Sequence, residues 1–481
     1  MPEKDKSLTR REFLTTTAGL AAGAAVFAAF PNVASCAKAQ RKPNVLFIFA
    51  DQMRNAALGC MGSPDVKTPN LDKLAAQGLL FTHAYSGYPL CSPYRSMLLT
   101  GRYGTSTGVI GNSIELPDKE VTIAKVLKQH GYKCGYIGKW HLEKNHDPFV
   151  PKERRLGFTD YWASRNVGGP SMFDNFYCGD TPEQIPMPGY EPDFQTGLAI
   201  DFIKKHKSEP FCLFLSWRPP HPPREAPKEY LDMYPPEKLT QRPNVPKNLD
   251  DRKNAQVYNA MITNLDTNVG RIIKALDELG LSENTIVCFS SDHGDMLGSQ
   301  GLQGKNVPYE EAINIPFIMR YPQRIKAGTK TDVLFNSVDV MPTLLSLCGI
   351  PVPNAVQGLD LSDVVLGKSS KKPQSILLQR IVGGNKKGQG GEWRGVRTER
   401  YTYARFRNKG YVLFDNEKDP YQLNNLIDKP EAKSIQEKME AELKKWLERI
   451  GDEFAPSETY ARRFKDQMGK RWLRGQAGSD E

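Results

Sequence analysis

From residue 44 to residue 50 the chain reads Asn-Val-Leu-Phe-Ile-Phe-Ala, a nearly unbroken apolar run that stops at Asp51 and Gln52. A strand with one wet face alternates polar and apolar residues, whereas a strand buried on both faces reads like this, as in parallel sheets covered by helices. The pattern recurs. After the helix-like stretch 70–77, helical periodicity over 121–129 leads into an apolar run at 132–137, 196–205 leads into 211–217, and 252–279 leads into 285–291. This alternation predicts an α/β fold with a doubly wound, mostly parallel sheet. Ligands of such sheets bind beyond the carboxyl ends of the strands. Asp51-Gln52, Trp140-His141, Arg218 to His221 and Asp292-His293 all stand at strand ends, so these clusters are expected on one rim.

With 481 residues the chain exceeds what a single core holds, so an appendage or second domain is expected. Beyond residue 366 a Lys/Ser-rich stretch precedes 393–406 and 411–414, which alternate like antiparallel strands, and 432–450, which reads as an amphipathic helix. The expected division is a leader over 1–39, a catalytic domain over 40–370 and a smaller C-terminal α+β subdomain over 371–481 containing a short antiparallel sheet. The Pro-rich stretch 219–246 reads as an ordered surface loop. Composition excludes whole classes: 39% hydrophobic and 25% charged residues fit neither a disordered chain nor a polytopic membrane protein. The net charge of +10, without a polybasic block or nucleic-acid motif, suits an anionic substrate better than DNA. Eight cysteines without a Cys-x-x-Cys pair argue against a disulfide scaffold and a zinc ribbon.

The leader is an address. Ser7-Leu8-Thr9-Arg10-Arg11-Glu12-Phe13-Leu14, followed by an Ala/Gly-rich stretch to Phe30, is a twin-arginine export pattern too short and too mildly apolar for a permanent anchor. Two exits are open. Ala37-Lys38-Ala39 is an A-x-A cleavage signature, while Val33-Ala34-Ser35-Cys36 resembles a lipobox that would leave Cys36 lipidated. The expected location is the periplasm or the cell surface, with the twin-arginine machinery as a partner.

Cys91-Ser92-Pro93-Tyr94-Arg95, continued by Ser96-Met97-Leu98-Leu99-Thr100-Gly101-Arg102, resembles the signature of the type I, formylglycine-dependent sulfatases of the alkaline phosphatase superfamily. Pro93 suits a first helical turn, which would set Cys91 at a helix N-terminus facing an anion. The resemblance implies that Cys91 is oxidised to formylglycine by a maturation enzyme; its hydrate offers one hydroxyl to attack sulfur and a second to expel sulfate. Arg95 would hold that hydrate. The likeness runs from Asn44 to about Leu426. Asp51, Gln52, Asp292 and His293 stand where the family holds one divalent cation, with the group at Cys91 completing the shell. The usual pairs are Asp-Asp and Asp-Asn; Asp-Gln with Asp-His is a variant also found in phosphonate monoester hydrolases. Oxygen donors with one imidazole favour calcium over magnesium or manganese. Gly138-Lys139-Trp140-His141 matches a family motif in which Lys139 grips sulfate and His141 works beside the formylglycine. His221 matches the proton donor to the leaving group and Lys305 the second sulfate-binding lysine. His83, His130, His146 and His206 read as structural, and Asp295 and Glu310 carry no assigned role.

The implied activity is hydrolysis of sulfate monoesters on a small molecule or glycan, outside the cytoplasm. Two alternatives are a phosphonate monoester or phosphodiester hydrolase of the same superfamily, and a non-catalytic protein that binds sulfated glycans. Gly138 to His141 speaks against the first and the intact Cys91 to Arg95 signature against the second. Substrate choice is expected to lie in loops such as 164–190 and the Gly/Lys-rich 383–391, which carry no readable code.

Overall fold

The central sheet forms where the apolar runs predict it. In the computed structural model, which describes residues 41–383 and 391–469, strands β1 (Asn44–Asp51), β2 (Leu79–Phe81), β3 (Ala84–Tyr85), β4 (Lys133–Lys139), β5 (Tyr161–Arg165), β6 (Phe173–Cys178), β7 (Gln184–Tyr190) and β8 (Phe211–Pro220) come first. Strands β9 (Thr285–Ser291), β10 (Phe317–Arg320), β11 (Thr329–Thr331) and β12 (Phe335–Asn336) follow. Ten of them make one sheet in the order β11-β2-β10-β9-β1-β8-β4-β5-β6-β7, while β3 and β12 pair separately. The middle, β9-β1-β8-β4-β5, is parallel throughout. Apart from Arg41 the described residues lie in one compact unit that begins at Lys42. Residues 1–39, with Arg10, Arg11, Cys36 and Ala39, lie outside the described residues, as do 384–390 of the Gly/Lys-rich loop. No helix among the described residues is long and apolar enough to cross a membrane.

β1 shows why its sequence does not alternate. Val45, Phe47 and Phe49 enter a core shared with the Cys91–Thr100, Ile123–Gln129 and Val340–Leu347 helices. Leu46, Ile48 and Ala50 enter the opposite core, against Pro69–Ala76, Glu191–Lys205 and Arg252–Glu278. Each large aliphatic or aromatic side chain buried here contributes about 1.5–3 kcal/mol relative to exposure, so a polar residue in β1 would be costly on either face. Only past Ala50 does the strand admit one.

Two parts of the sheet were hidden from sequence patterns. Residues 164–190, read as a loop, instead finish β5 and form β6 and β7, an antiparallel extension at the sheet edge. Pro186 and Pro188 in β7 break the strand pattern, and an edge strand tolerates them because its outward amides need no partner. In the C-terminal region β13 (Ser375–Arg380), β14 (Trp393–Thr398), β15 (Tyr401–Arg405) and β16 (Gly410–Asp415) form an antiparallel sheet in that order, and the Lys433–Ile450 helix packs on it through Leu443 and Trp446. β13 is buried along its whole length and lacks the expected alternation.

Candidate active site

Four adjacent parallel strands, β9-β1-β8-β4, deliver polar residues to one rim. β1 ends at Asp51, β4 at Lys139, β8 runs into His221, and β9 into Asp292 and His293. The backbone turns sharply there: Gln52 has φ 75° and His141 φ 59°, both in the left-handed region. Gly138 has φ 99°, and a Cβ on it would lie 2.0 Å from the Ser216 carbonyl oxygen on β8, so only glycine lets β4 pass there and carry Lys139 to the rim. Cys91 opens the Cys91–Thr100 helix, as expected, with Pro93 in its first turn. The start of that helix is tied down because Ser92 N accepts Asn112 Oδ1 as its partner at 3.0 Å and Ser92 Oγ donates to the His141 carbonyl at 2.6 Å.

Asp51, Cys91, Asp292 and His293 meet in a fully buried cluster whose ligand atoms all lie within 4.8 Å of one another. Cys91 Sγ is 3.2 Å from His293 Nε2 and 3.6 Å from Asp51 Oδ1. His293 Nδ1 lies 3.0 Å from the Gly294 carbonyl, which fixes the proton on Nδ1 and aims the Nε2 lone pair into the cluster. Burial depresses the His293 pKa further and keeps the ring neutral. Two carboxylates, a neutral imidazole and buried surroundings fit a divalent cation. Asp51 is ionised: burial raises its pKa, but Lys139, with His221, Arg95 and His293, outweighs burial and holds it well below the usual range. The thiol behaves in the opposite sense. Burial first, and the Asp51 carboxylate next, push Cys91 up to about 12, so an unmodified thiol here stays protonated and is a poor nucleophile. The position therefore suits a group made from cysteine better than cysteine itself.

The cations around the cluster are fixed by their own partners. Arg95 Nη2 bridges Asp51 Oδ2 at 3.1 Å and Asp292 Oδ2 at 3.2 Å, while Nη1 donates to the Lys139 carbonyl at 2.6 Å and Ser216 Oγ at 2.7 Å. Its expected duty toward the group at position 91 is thus joined by a visible one, holding both carboxylates in register. Lys139 Nζ is 2.8 Å from Asp51 Oδ2 and 3.8 Å from Cys91 Sγ. Lys305 Nζ donates to Gln52 Oε1 at 2.7 Å, and Gln52 N donates to Asp292 Oδ1 at 3.0 Å. His221 Nδ1 donates to the Pro222 carbonyl at 2.6 Å, leaving proton exchange to Nε2. His141 is buried on the same rim, its N–H donating to the Asn166 carbonyl at 2.6 Å. All nine residues singled out from sequence, namely Asp51, Gln52, Cys91, Arg95, Lys139, His141, His221, Asp292 and His293, stand on this rim, and Lys305 reaches it through Gln52.

Other contributors carry no sequence signal of their own. Ser216 lies inside an apolar strand, and Asn112 is one of many loop asparagines. The C-terminal sheet braces the Lys305 loop: Trp393 Nε1 at 3.0 Å and Arg380 Nη1 at 3.2 Å both donate to the carbonyl of Asn306. Glu310 is also structural, receiving Arg397 Nε at 2.8 Å and Asn314 Nδ2 at 3.0 Å. Arg218, expected on the rim, pairs with Glu191 at 3.0 Å.

Comparison with known proteins agrees with this geometry. A family model described as Sulfatase matches residues 43–350, and one described as the C-terminal region of N-sulphoglucosamine sulphohydrolase matches residues 298–449. An ulvan-active sulfatase of Formosa agariphila is 38% identical over 438 residues, covering 89% of this chain and 86% of that protein. An endo-4-O-sulfatase of Bacteroides thetaiotaomicron is 32% identical over 476 residues, covering 85% of this chain and 92% of that protein. A solved structure from the same organism, from work on the metabolism of multiple glycosaminoglycans, is 31% identical with a TM-score of 0.80 and covers 89% of this chain and 100% of that one.

Proposed function

Because the chain belongs to the sulfatase family and is a sulfuric ester hydrolase, we propose that it removes sulfate from a carbohydrate, using a formylglycine made from Cys91 and one calcium ion. The observation that carries this reading is the buried Asp51-Cys91-Asp292-His293 cluster at a helix N-terminus, flanked by Lys139 and joined through Gln52 to Lys305. Support for a carbohydrate comes from the relatives, one named for activity on ulvan and one as an endo-4-O-sulfatase.

When installed, formylglycine would supply the nucleophile and the divalent cation would draw charge from the sulfate oxygens. Asp51, Gln52, Asp292 and His293 would hold the cation, Gln52 through its amide oxygen. The rest is the work of the protein's own side chains. Lys139 and Lys305, fixed by Asp51 and Gln52, present ammonium groups to the oxygens on which negative charge gathers. His221 delivers a proton from Nε2 to the departing alkoxide. His141 takes the proton at position 91, and Arg95 keeps the carboxylates aligned. Burial excludes water and strengthens each of these interactions.

A leader over 1–39, a catalytic domain over 40–370 and a C-terminal subdomain over 371–481 belong to the same proposal, with twin-arginine export to the periplasm or cell surface after maturation of Cys91. Fractionation of cells expressing an Arg10→Lys/Arg11→Lys variant tests export: the variant is expected to stay inside. The decisive test joins mass spectrometry of the tryptic peptide ending at Arg95 with assays of sulfate release from a panel of sulfated mono- and oligosaccharides. An intact thiol in fully active enzyme overturns the formylglycine reading. Turnover of phosphonate or phosphodiester substrates above sulfate esters overturns the substrate class.

A further inference from the structure

Asp295 takes no part in the chemistry above, yet it is fully buried beside it and four donors converge on its carboxylate. Oδ1 accepts from the backbone N–H of Leu297 at 2.8 Å and of Gly304 at 3.2 Å. Oδ2 accepts from Gln52 Nε2 at 2.6 Å and from Arg224 Nη2 at 2.5 Å. Burial raises the Asp295 pKa, but Arg224 and Gln52 overcome it, and the group is ionised and accepts only. The two ends of the Gln52 amide have nearly the same shape, so what decides its orientation is the partner each end meets. Here Gln52 is clamped between an obligate acceptor, Asp295, and an obligate donor, Lys305, whose Nζ is 2.7 Å from Gln52 Oε1.

We propose that Asp295 is a positioning residue: it holds the Gln52 amide with its nitrogen turned away and its carbonyl oxygen toward Lys305 and the cation-binding cluster, and Arg224 holds Asp295 in turn. The inference rests on the sulfatase reading, which gives Gln52 an oxygen donor's role. It also accounts for a glutamine at this place. A carboxylate at 52 has two equivalent oxygens and needs no such clamp, whereas an amide presents the wrong atom if it flips. A flipped Gln52 would set an N–H group against Lys305 and offer the cation no lone pair.

The test uses the full-length mature enzyme, stripped of metal and titrated with calcium by calorimetry, so that the readout does not depend on turnover. Asp295→Asn preserves shape and the backbone contacts of Oδ1 but places an amide nitrogen opposite Gln52 Nε2. Calcium affinity should fall by about 10- to 100-fold, the usual cost of losing an outer partner of a metal ligand. The double variant Gln52→Glu/Asp295→Asn restores a matched pair with the hydrogen bond reversed and the same net charge. Its calcium affinity should return to within about threefold of wild type, since only the direction of one bond differs. Unchanged affinity in Asp295→Asn overturns the proposal. So does a folded double variant no better than the single one, and so does failure of both to fold, because the role assigned to Asp295 is confined to aiming one side chain. Sulfate release by the wild-type preparation is measured alongside: its absence would strike the sulfatase reading itself, while a normal rate with indifferent Asp295 variants strikes only this inference.

Discussion

Replacing Lys139 with alanine separates catalysis from stability and from cation binding, because one ammonium serves all three. Its Nζ lies 2.8 Å from Asp51 Oδ2 with both side chains buried. At an effective dielectric of about 20, unit charges at that distance attract by about 6 kcal/mol. Burying the ammonium costs several kcal/mol in lost hydration, which its removal returns. Asp51 also keeps Arg95, whose Nη2 is 3.1 Å from the same oxygen. The net change in folding stability should therefore be small, about 0–2 kcal/mol. Catalysis has no such compensation. Losing one preorganised donor at a developing negative charge costs about 10²- to 10³-fold in kcat/KM. Cation binding should move the other way, since the ammonium competes with a divalent ion for Asp51, and relief of about 1.4 kcal/mol of repulsion tightens calcium about tenfold. The assay is kcat/KM for an aryl sulfate beside a thermal melt and a calcium titration. Near wild-type turnover, or weaker calcium binding in a folded variant, would refute the reasoning.

Three further outcomes follow from other contacts. Lys305→Ala, which frees Gln52 Oε1, should lower kcat/KM by about two to three orders of magnitude with little change in melting temperature, as measured on the same substrate. Gly138→Ala should destabilise by about 3 kcal/mol or more and abolish activity, because the added Cβ meets the Ser216 carbonyl at 2.0 Å on a backbone with φ 99°; a melt unchanged from wild type would contradict the strand approach described here. Glu143 is pushed up to about 7 by burial, against the pull of Arg154, which also serves Glu115 and Asp118. The unfolded chain gives up this proton near pH 4.5, before the folded one does, so Glu143 makes stability decline as pH rises from about 4.5 to about 7. Glu143→Gln should remove that decline and gain about 1 kcal/mol at pH 8, scaled down for the 15% exposure of the side chain, with no gain at pH 4 in urea melts.

Local order made much of this protein readable from its sequence. Strands buried on both faces must be apolar at every position, so β1, β8 and β9 announce themselves, and the polar residues that end them mark the rim. Chemistry confined to a few consecutive residues is legible for the same reason: Cys91 to Arg95 share the first turns of one helix, and Gly138 to His141 one strand end. Edge strands and outer partners obey no such rule. β6 and β7 are half-wet and proline-bearing, so they look like loop until the sheet's edge accepts them. The contacts that aim the side chains join residues far apart in the chain: Gln52 meets Asp295 across 243 positions, Arg95 meets Ser216 across 121, and Trp393 reaches Asn306 across 87. A hydrogen bond depends on where two atoms come to rest, and that is set by the packing of the whole sheet. The sequence by itself therefore determined the scaffold and which residues carry the chemistry. Only the tertiary structure decided which way Gln52 faces, that Arg95 bridges two carboxylates, and that a buried thiol at position 91 stays protonated.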